Sequence, residues 1–285
     1  MNDQAHSLRQ RLQRPMGRHA KTIAITSGKG GVGKSNFAIN FALELLERGK
    51  RVLIFDLDVG MGNIDILLGL YSEKTMIDLL DDNLTIADIV KIGPKGLAYI
   101  SGGSGLSHFL KMDQHKWAHF FSEYESVMDM YDFIIFDMGA GATEESLSFI
   151  LAADECFVIT TPEPTAITDA YGMIKHIVNN QKDLPIYVVM NRCHSTKEGR
   201  KMTEKLKNII WGFLNKDISN IGSLQEDKIV LTSVKRQMPY ILLNPKAKIS
   251  LAMKHVVDTY MYEMPVHHNK PLTFMDKLKQ LIKVR

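Results

Sequence analysis

Short runs of apolar residues alternate along this chain with longer segments in which apolar residues recur every three or four positions. The runs lie at residues 22–27, 52–55, 97–100, 133–136, 155–160 and 186–190. Near-continuous apolar runs of this length are typical of parallel strands covered on both faces. The segment after residue 36 and the one at 246–261 have the spacing of helices. The alternation predicts an α/β domain with a mostly parallel sheet and helices on both faces.

The first run leads directly into a glycine-rich loop. Gly28, Gly33, Lys34 and Ser35 have the spacing of a phosphate-binding loop and lie between a predicted strand and a predicted helix. Glycines let backbone N–H groups line an anion site, and the helix N-terminus adds partial positive charge. We expect Lys34 to reach the outer phosphates and Ser35 to ligate Mg²⁺. The predicted nucleotide-binding residues of this stretch are Gly28, Lys29, Gly30, Gly31, Val32, Gly33, Lys34, Ser35 and Asn36.

Acidic residues follow two of the later runs. Asp56 and Asp58 end the second strand, and Asp137 follows the apolar run at 133–136 in the manner of a Walker B carboxylate. Ligand sites form where parallel strands end at the same edge of a sheet. We therefore predict Asp137 and Asp56 near Mg²⁺ and Asp58 as the residue that orients or deprotonates the attacking water. For Asp58 a simple helix cap is the alternative.

The composition of the chain limits its class. Its 285 residues are 45% hydrophobic, which suits one or two domains with a large core. The net charge of +3 gives no argument for nucleic acid as a partner. The two cysteines form no disulfide or metal pattern, which fits a reducing cytoplasm. We find no apolar run near the ~20 residues of a membrane span and no signal peptide, so we expect any membrane contact to be peripheral.

A short amphipathic segment ends the chain. Phe274, Leu278, Leu281 and Ile282 fall on one helical stripe, with Met275 beside it. Basic residues occupy the remaining positions: Lys277, Lys279, Lys283 and Arg285. This pattern predicts a helix that binds an anionic membrane surface, with docking on the body of the protein or on another protein as the alternative. We expect the helix of the monomer to be disordered or held loosely.

The run Lys29 to Ser35, Lys-Gly-Gly-Val-Gly-Lys-Ser, resembles the deviant Walker A motif of the MinD/ParA ATPases. The resemblance extends over residues 21–262 and implies an ATP-dependent homodimer with slow, dimer-dependent hydrolysis of ATP to ADP. In that family the residue at Lys29 crosses to the partner subunit, so the implied catalytic residues are Lys29, Lys34 and Asp58.

The same resemblance implies roles for residues later in the chain. Residues 137–141 match the family's switch II, which implies that Gly139 or Gly141 offers an N–H to the γ-phosphate, and we assign this contact to Gly141. Asn191 would contact the adenine edge, beside Arg192. Relatives have a proline near the base where this chain has Gln225, so packing of the adenine is open.

The N-terminus resembles one branch of this family. Asp3, Gln4, Ala5, Leu8 and Arg9 match the motif that opens the flagellar MinD-like ATPases of the FlhG/YlxH/FleN group. In that group the segment stimulates the signal-recognition-type GTPase FlhF, and the flagellar switch complex (C-ring) is a further implied partner. The implied function is a cytoplasmic switch, reversibly bound to the inner face of the cell membrane, that controls flagellar number and placement. A ParA-like DNA-partitioning ATPase and a MinD-like regulator of the division site are the alternatives.

The predicted organisation has four parts. They are a flexible activator arm (1–20), a P-loop ATPase domain (21–262), a linker (263–271) and a membrane-targeting helix (272–285).

Overall fold

The computed structural model describes residues 19–58, 62–81, 84–103, 113–141, 144–263 and 272–283. The motif at Asp3, Gln4, Ala5, Leu8 and Arg9, and nearly all of the predicted linker, lie outside these ranges. Within them, no helix has the length and hydropathy that crossing a bilayer requires.

The strands form one mostly parallel sheet, as predicted. They are β1 (Lys21–Ser27), β2 (Val52–Leu57), β3 (Lys91–Ile92), β4 (Ala98–Ile100), β5 (Phe133–Ala140), β6 (Glu155–Thr160), β7 (Ile186–Cys193) and β8 (Ser219–Gln225). Their order in the sheet is β3-β4-β2-β5-β1-β6-β7-β8. The pair β3–β4 is antiparallel and the other pairs are parallel.

Helices cover both faces of this sheet. They are α1 (Lys34–Glu47), α2 (Ile64–Leu68), α3 (Met76–Asp81), α4 (Ile86–Ile89), α5 (Gln114–Val127), α6 (Glu144–Ala152), α7 (Pro164–Asn180), α8 (Thr196–Leu214), α9 (Lys228–Lys235), α10 (Tyr240–Leu243), α11 (Lys248–Glu263) and α12 (Phe274–Lys283). The helix predicted at 246–261 is α11, shifted by two residues. A single α/β domain with a C-terminal helix is confirmed.

Each face of the sheet has its own hydrophobic core. The α1 face is built with α10 and α11, whereas the other face is built with α5, α6, α7 and α8. Side chains alternate along β5, so Ile135 is buried on the α1 face and Phe136 on the opposite face.

A buried ionic network joins the first strand to the last helix of the ATPase domain. Lys21 pairs with Glu155, and both side chains are 2% exposed. The Tyr260 hydroxyl donates to Glu155 Oε2 at 2.7 Å, and Lys21 Nζ lies 5.6 Å from the centroid of the Tyr260 ring. Removing one member of such a pair typically costs about 3–5 kcal/mol because the other charge stays buried. The network therefore fastens α11 to the beginning of β1.

The C-terminal helix α12 is docked on the body of the protein. Phe274, Met275 and Leu278 are 5%, 2% and 0% exposed and belong to the core on the α6 face. Our expectation of a loosely held helix is therefore wrong for this structure. Burial of a large apolar side chain stabilises the folded protein by about 1.5–3 kcal/mol. The aromatic core on this face offers α12 a large apolar surface for such burial.

Candidate nucleotide-binding site

The glycine-rich loop joins β1 to α1 at the carboxyl edge of the sheet. Gly33 precedes the first residue of α1 and has φ +97°, a left-handed conformation that favours glycine. Lys34, the first residue of α1, is 6% exposed. The strand, loop and helix predicted from the sequence are thus in the arrangement that binds phosphate at a helix N-terminus.

Gly28 lies against the backbone of α7. A Cβ atom at Gly28 would come within 2.1 Å of the carbonyl carbon and oxygen of Asp169. No side chain fits in that space, so the start of the loop and α7 must move together. Nothing in the spacing of the motif predicts this contact, because α7 begins more than 130 residues later in the chain.

Two buried carboxylates lie side by side at the centre of the site. Asp56 on β2 is the register partner of Asp137 on β5. Burial raises the pKa of both groups, and the charge of Asp137 adds to the rise at Asp56. Ser35 and Lys34 instead lower the pKa of Asp137. These four side chains therefore converge, as the sequence predicted.

This donor set fits Mg²⁺. Within the described part of the chain, neither carboxylate oxygen of the buried Asp137 has a hydrogen bond of good geometry, although the nearby Ser35 hydroxyl and Lys34 ammonium lower its pKa. A buried carboxylate without donors is costly unless a cation neutralises it. Carboxylate, hydroxyl and phosphate oxygens are the ligands that Mg²⁺ prefers. Asp137, Ser35 and Asp56 are the residues that would hold the ion.

Asp56 also organises the segment after β2. Its carboxylate accepts the backbone N–H groups of Asp58 and Ile64, each at 3.2 Å. Asp58 is half-buried, and burial raises its pKa while the nearby Lys34 ammonium counteracts that rise. Asp58 thus lies near the phosphate-binding lysine. Its side chain forms no helix cap in the described residues, since α2 begins only at Ile64.

Asn191 contacts the phosphate loop directly. Its Nδ2 donates to the Val32 carbonyl at 2.8 Å, and its Oδ1 accepts from the Arg192 N–H at 2.9 Å. Arg192 has φ +55°, a left-handed conformation at the end of β7. The amide of Asn191 has two N–H groups, so one remains for an acceptor on a base. Asn191 therefore braces the loop, a role that the sequence analysis missed.

The backbone N–H of Gly141 already has an acceptor within the chain. Its backbone N–H donates to the Ser27 carbonyl at 3.0 Å, and its φ is +86°. The predicted N–H contact to a γ-phosphate thus requires this hydrogen bond to break. A glycine at this position makes such a rearrangement inexpensive.

Lys29 pairs with the beginning of α7 in the same chain. Its Nζ lies 3.0 Å from Glu163 Oε2 and 3.1 Å from Thr165 Oγ1. The side chain is 41% exposed. Lys29 is therefore accessible at the surface, next to its own phosphate loop.

The likeness of this chain to known proteins agrees with the site. The family model ParA, described as NUBPL iron-transfer P-loop NTPase, matches residues 18–260. The chain belongs to the ParA/MinD family of P-loop NTPases. Proteins of this family are ATPases, and membership confirms the predicted cofactors, ATP or ADP with Mg²⁺.

Two curated relatives of this ParA/MinD-family protein are, by name, an antiactivator and a flagellum site-determining protein. The antiactivator FleN of Pseudomonas aeruginosa is 34% identical over 236 residues, which cover 83% of this chain and 84% of FleN. The flagellum site-determining protein YlxH of Helicobacter pylori is 32% identical over 220 residues, covering 77% of this chain and 74% of YlxH.

Solved MinD structures share the fold. The cell division ATPase MinD of Pyrococcus furiosus superposes with a TM-score of 0.71 at 24% identity, covering 86% of this chain and 100% of that one. MinD in the MinC:MinD complex of Aquifex aeolicus gives a TM-score of 0.69 at 26% identity, with 87% and 99% covered.

Replacing Gly28 with alanine should damage the ATPase domain. The added Cβ would collide with backbone rather than with a flexible side chain, so we expect a loss of at least about 1–3 kcal/mol of unfolding free energy and weaker nucleotide binding. Gly172→Ala is the matched control, because Gly172 lies within α7 with no atom near its virtual Cβ. That change should stabilise the helix by about 0.5–1 kcal/mol. Urea unfolding of both variants measures the difference, and equal effects would contradict the role of the Gly28–Asp169 contact.

The buried carboxylates should make stability depend on pH. Because their pKa values are raised in the folded protein, the folded state holds more protons than the unfolded state above about pH 4. The free energy of unfolding in EDTA should therefore fall as pH rises from about 4 towards neutrality and beyond. Asp137→Asn should flatten this dependence. An unchanged slope in that variant would show that the pair does not titrate in this range.

Proposed function

We propose that this protein is an ATP-dependent switch that controls flagellar number and placement. In this proposal it hydrolyses ATP slowly as a homodimer and binds the inner face of the cell membrane reversibly. The names of two relatives, an antiactivator and a flagellum site-determining protein, support the flagellar assignment. The main support for a switch is the position of α12. Its Phe274 packs against Phe136, the neighbour of Asp137 on β5.

The hydrolytic step is assigned to side chains that converge on the carboxyl edge. Lys34 and the loop N–H groups hold the phosphates, and Asp58 orients the attacking water. Bound Mg²⁺ would supply charge neutralisation on the phosphate oxygens. Asp58 suits its role because it is half-buried, close to Lys34, and on the segment that Asp56 holds.

Lys29 is proposed to act on the nucleotide of the partner subunit. In the single chain it pairs with Glu163, whose side chain is 58% exposed. Exposed ion pairs of this kind contribute about 0–1 kcal/mol. Exchanging Glu163 for a phosphate of the partner site therefore costs little, which favours ready assembly of the dimer when ATP is bound.

The apolar face of α12 has two competing uses. Phe274 stacks on Phe136 with ring centroids 4.8 Å apart, and it also contacts Tyr124 and Phe149 at 5.1 and 6.1 Å. A side chain that fills this core cannot at the same time enter a lipid surface. Docking and membrane binding of α12 thus exclude each other, and the docked form is the one released from the membrane.

Charged contacts hold the same helix. Lys277 Nζ lies 3.6 Å from Asp154, and Lys279 Nζ lies 3.2 Å from Glu125. These lysines were predicted to face lipid, so undocking would free them for an anionic surface. The side chain of Lys283 lies outside the described residues.

A route from nucleotide to α12 follows from these contacts. Asp137 and Phe136 are adjacent on β5, and α6, which carries Phe149, begins shortly after Gly141. A rearrangement at Gly141 that reaches α6 would disturb the surface on which Phe274 rests. ATP binding would then favour release of α12, since a ligand shifts an equilibrium towards the state that it binds better.

Two partners complete the proposal. The motif Asp3, Gln4, Ala5, Leu8 and Arg9 is assigned to the GTPase FlhF, where an inserted glutamine can orient a hydrolytic water. Contact with the flagellar C-ring is a further proposal from the resemblance.

Lys29→Ala and Asp58→Ala should each abolish turnover for different reasons. We expect Asp58→Ala to dimerise in ATP without hydrolysis, and Lys29→Ala to remain monomeric with a loss of at least about 10³-fold, as for a lost arginine finger. In a mixed dimer, one site combines an intact Asp58 with Lys29 from the other subunit. Mixing the two inactive variants should therefore restore part of the ATPase rate, and the absence of recovery would show that Lys29 acts within its own chain.

Substitutions on the two sides of the α12 contact should have opposite effects on vesicle binding. Phe274→Glu removes the apolar anchor and should abolish flotation with anionic liposomes in ATP. Glu125→Lys instead replaces the Lys279 pair by a like-charge contact on the body and should weaken docking by about 0.2–1 kcal/mol, raising binding in ADP by up to about 5-fold. Equal flotation of the unmodified protein in ADP and ATP would contradict nucleotide control.

A further inference from the structure

Three described residues that follow β2 contact the carboxylate of Asp56. Its Oδ1 accepts the backbone N–H of Asp58, and its Oδ2 accepts the backbone N–H of Ile64, each at 3.2 Å. The third residue is Gly62, where an added Cβ atom would lie 3.1 Å from Oδ2 and 3.5 Å from Cγ of Asp56. Asp56 itself is 1% exposed. One buried carboxylate thus contacts both ends of the segment that joins Asp58 to α2.

The backbone conformation of Gly62 does not account for a glycine at this position. Its φ is not in the left-handed region, unlike that of Gly33 or Gly141, so the backbone would accept an L side chain. The three atoms nearest to an added Cβ all belong to the Asp56 carboxylate, and a Cβ contact of 3.1 Å is tighter than nine in ten such contacts. The neighbouring carboxylate is therefore what requires a glycine here.

The carboxylate is less able to move than the chain beside it. Asp56 belongs to β2, which lies between β4 and β5 inside the sheet. Rotation of its side chain would take the acceptor away from the N–H groups of Asp58 and Ile64, and a buried N–H group without an acceptor is costly. A side chain at position 62 would therefore displace the chain near Asp58 rather than the Asp56 carboxylate.

We propose that Gly62 is a positioning residue for ATP hydrolysis, because its lack of a side chain lets Asp56 hold Asp58 in place. The inference rests on the proposed role of Asp58 in orienting the attacking water. A reacting group must be held close to its working geometry, and a displacement of about 1 Å can lower the rate by about 10²-fold. Since Asp56 is also among the residues that would hold Mg²⁺, the ion site and the position of Asp58 depend on one side chain.

The first test separates hydrolysis from nucleotide binding. Gly62→Ala should lower kcat by about 10-fold and Gly62→Val by about 100-fold, because the larger side chain displaces Asp58 further. The Kd for ADP with Mg²⁺ should change by less than about 2-fold, since a positioning effect on the attacking water is absent from the ADP complex. The matched control is Gly212→Ala on α8, where an added Cβ has no atom within 4 Å. It should leave both kcat and Kd unchanged.

A double-mutant cycle in the nucleotide-free protein tests the contact itself. In the unmodified background, Gly62→Ala should lower the urea midpoint of unfolding and speed hydrogen exchange of the Ile64 amide by at least about 5-fold. In the Asp56→Ala background, the three atoms nearest to the added Cβ are absent. There the same change should leave the midpoint unchanged or raise it, because alanine restricts the unfolded chain more than glycine does.

The outcomes separate this inference from the proposed function. An unchanged kcat in Gly62→Ala, together with an inactive Asp58→Ala, overturns the inference and leaves the proposed role of Asp58 standing. Full activity of Asp58→Ala overturns both. If Gly62→Ala lowers the urea midpoint equally in both backgrounds, the glycine serves as a flexible hinge and not as space for Asp56, which also overturns the inference. A change in Kd as large as the change in kcat does so too, since the effect then lies in nucleotide binding.

Discussion

Alternation of side chains along β5 is the constraint on which the rest of this structure depends. Phe136 is buried in the core that receives Phe274, and the next residue, Asp137, projects to the other face, near Lys34 and Ser35. Neighbouring residues of a strand must point to opposite faces. A single strand therefore contacts the C-terminal helix on one side and the nucleotide site on the other, through one shared backbone.

The two edges of the sheet have different tasks. At the carboxyl edge, Asp56 and Asp137 form a buried acidic pair that is stable only with protons or a cation. At the amino edge, Glu155 is already satisfied by Lys21 and by the Tyr260 hydroxyl. The acidic pair therefore responds to a ligand, whereas the Lys21–Glu155–Tyr260 network holds α11 and β1 together with or without one. The responsive groups and the fixed ones are thus kept a strand length apart.

Much of the site could be predicted because its motifs are local. Gly28, Gly33, Lys34 and Ser35 lie within eight residues, and a strand followed at once by a helix brings them to one anion site. The convergence of Asp56 and Asp137 was predictable too, since parallel strands end at a common edge. The contact of Gly28 with Asp169, the brace from Asn191 to Val32, and the pairing of Lys29 with Glu163 join residues more than 130 positions apart. No local pattern encodes such contacts, because they depend on how helices pack against the finished sheet.

The sequence by itself determined the order of strands and helices, the phosphate loop, its acidic partners and the amphipathic character of the last helix. These follow from periodicity and spacing, which are properties of neighbouring residues. Where that last helix lies was decided only by the tertiary structure. An apolar stripe specifies that a face must be covered, and lipid and the Phe136–Phe149 surface both satisfy it. In the folded chain the aromatic surface is close and already formed, so Phe274, Met275 and Leu278 are buried there.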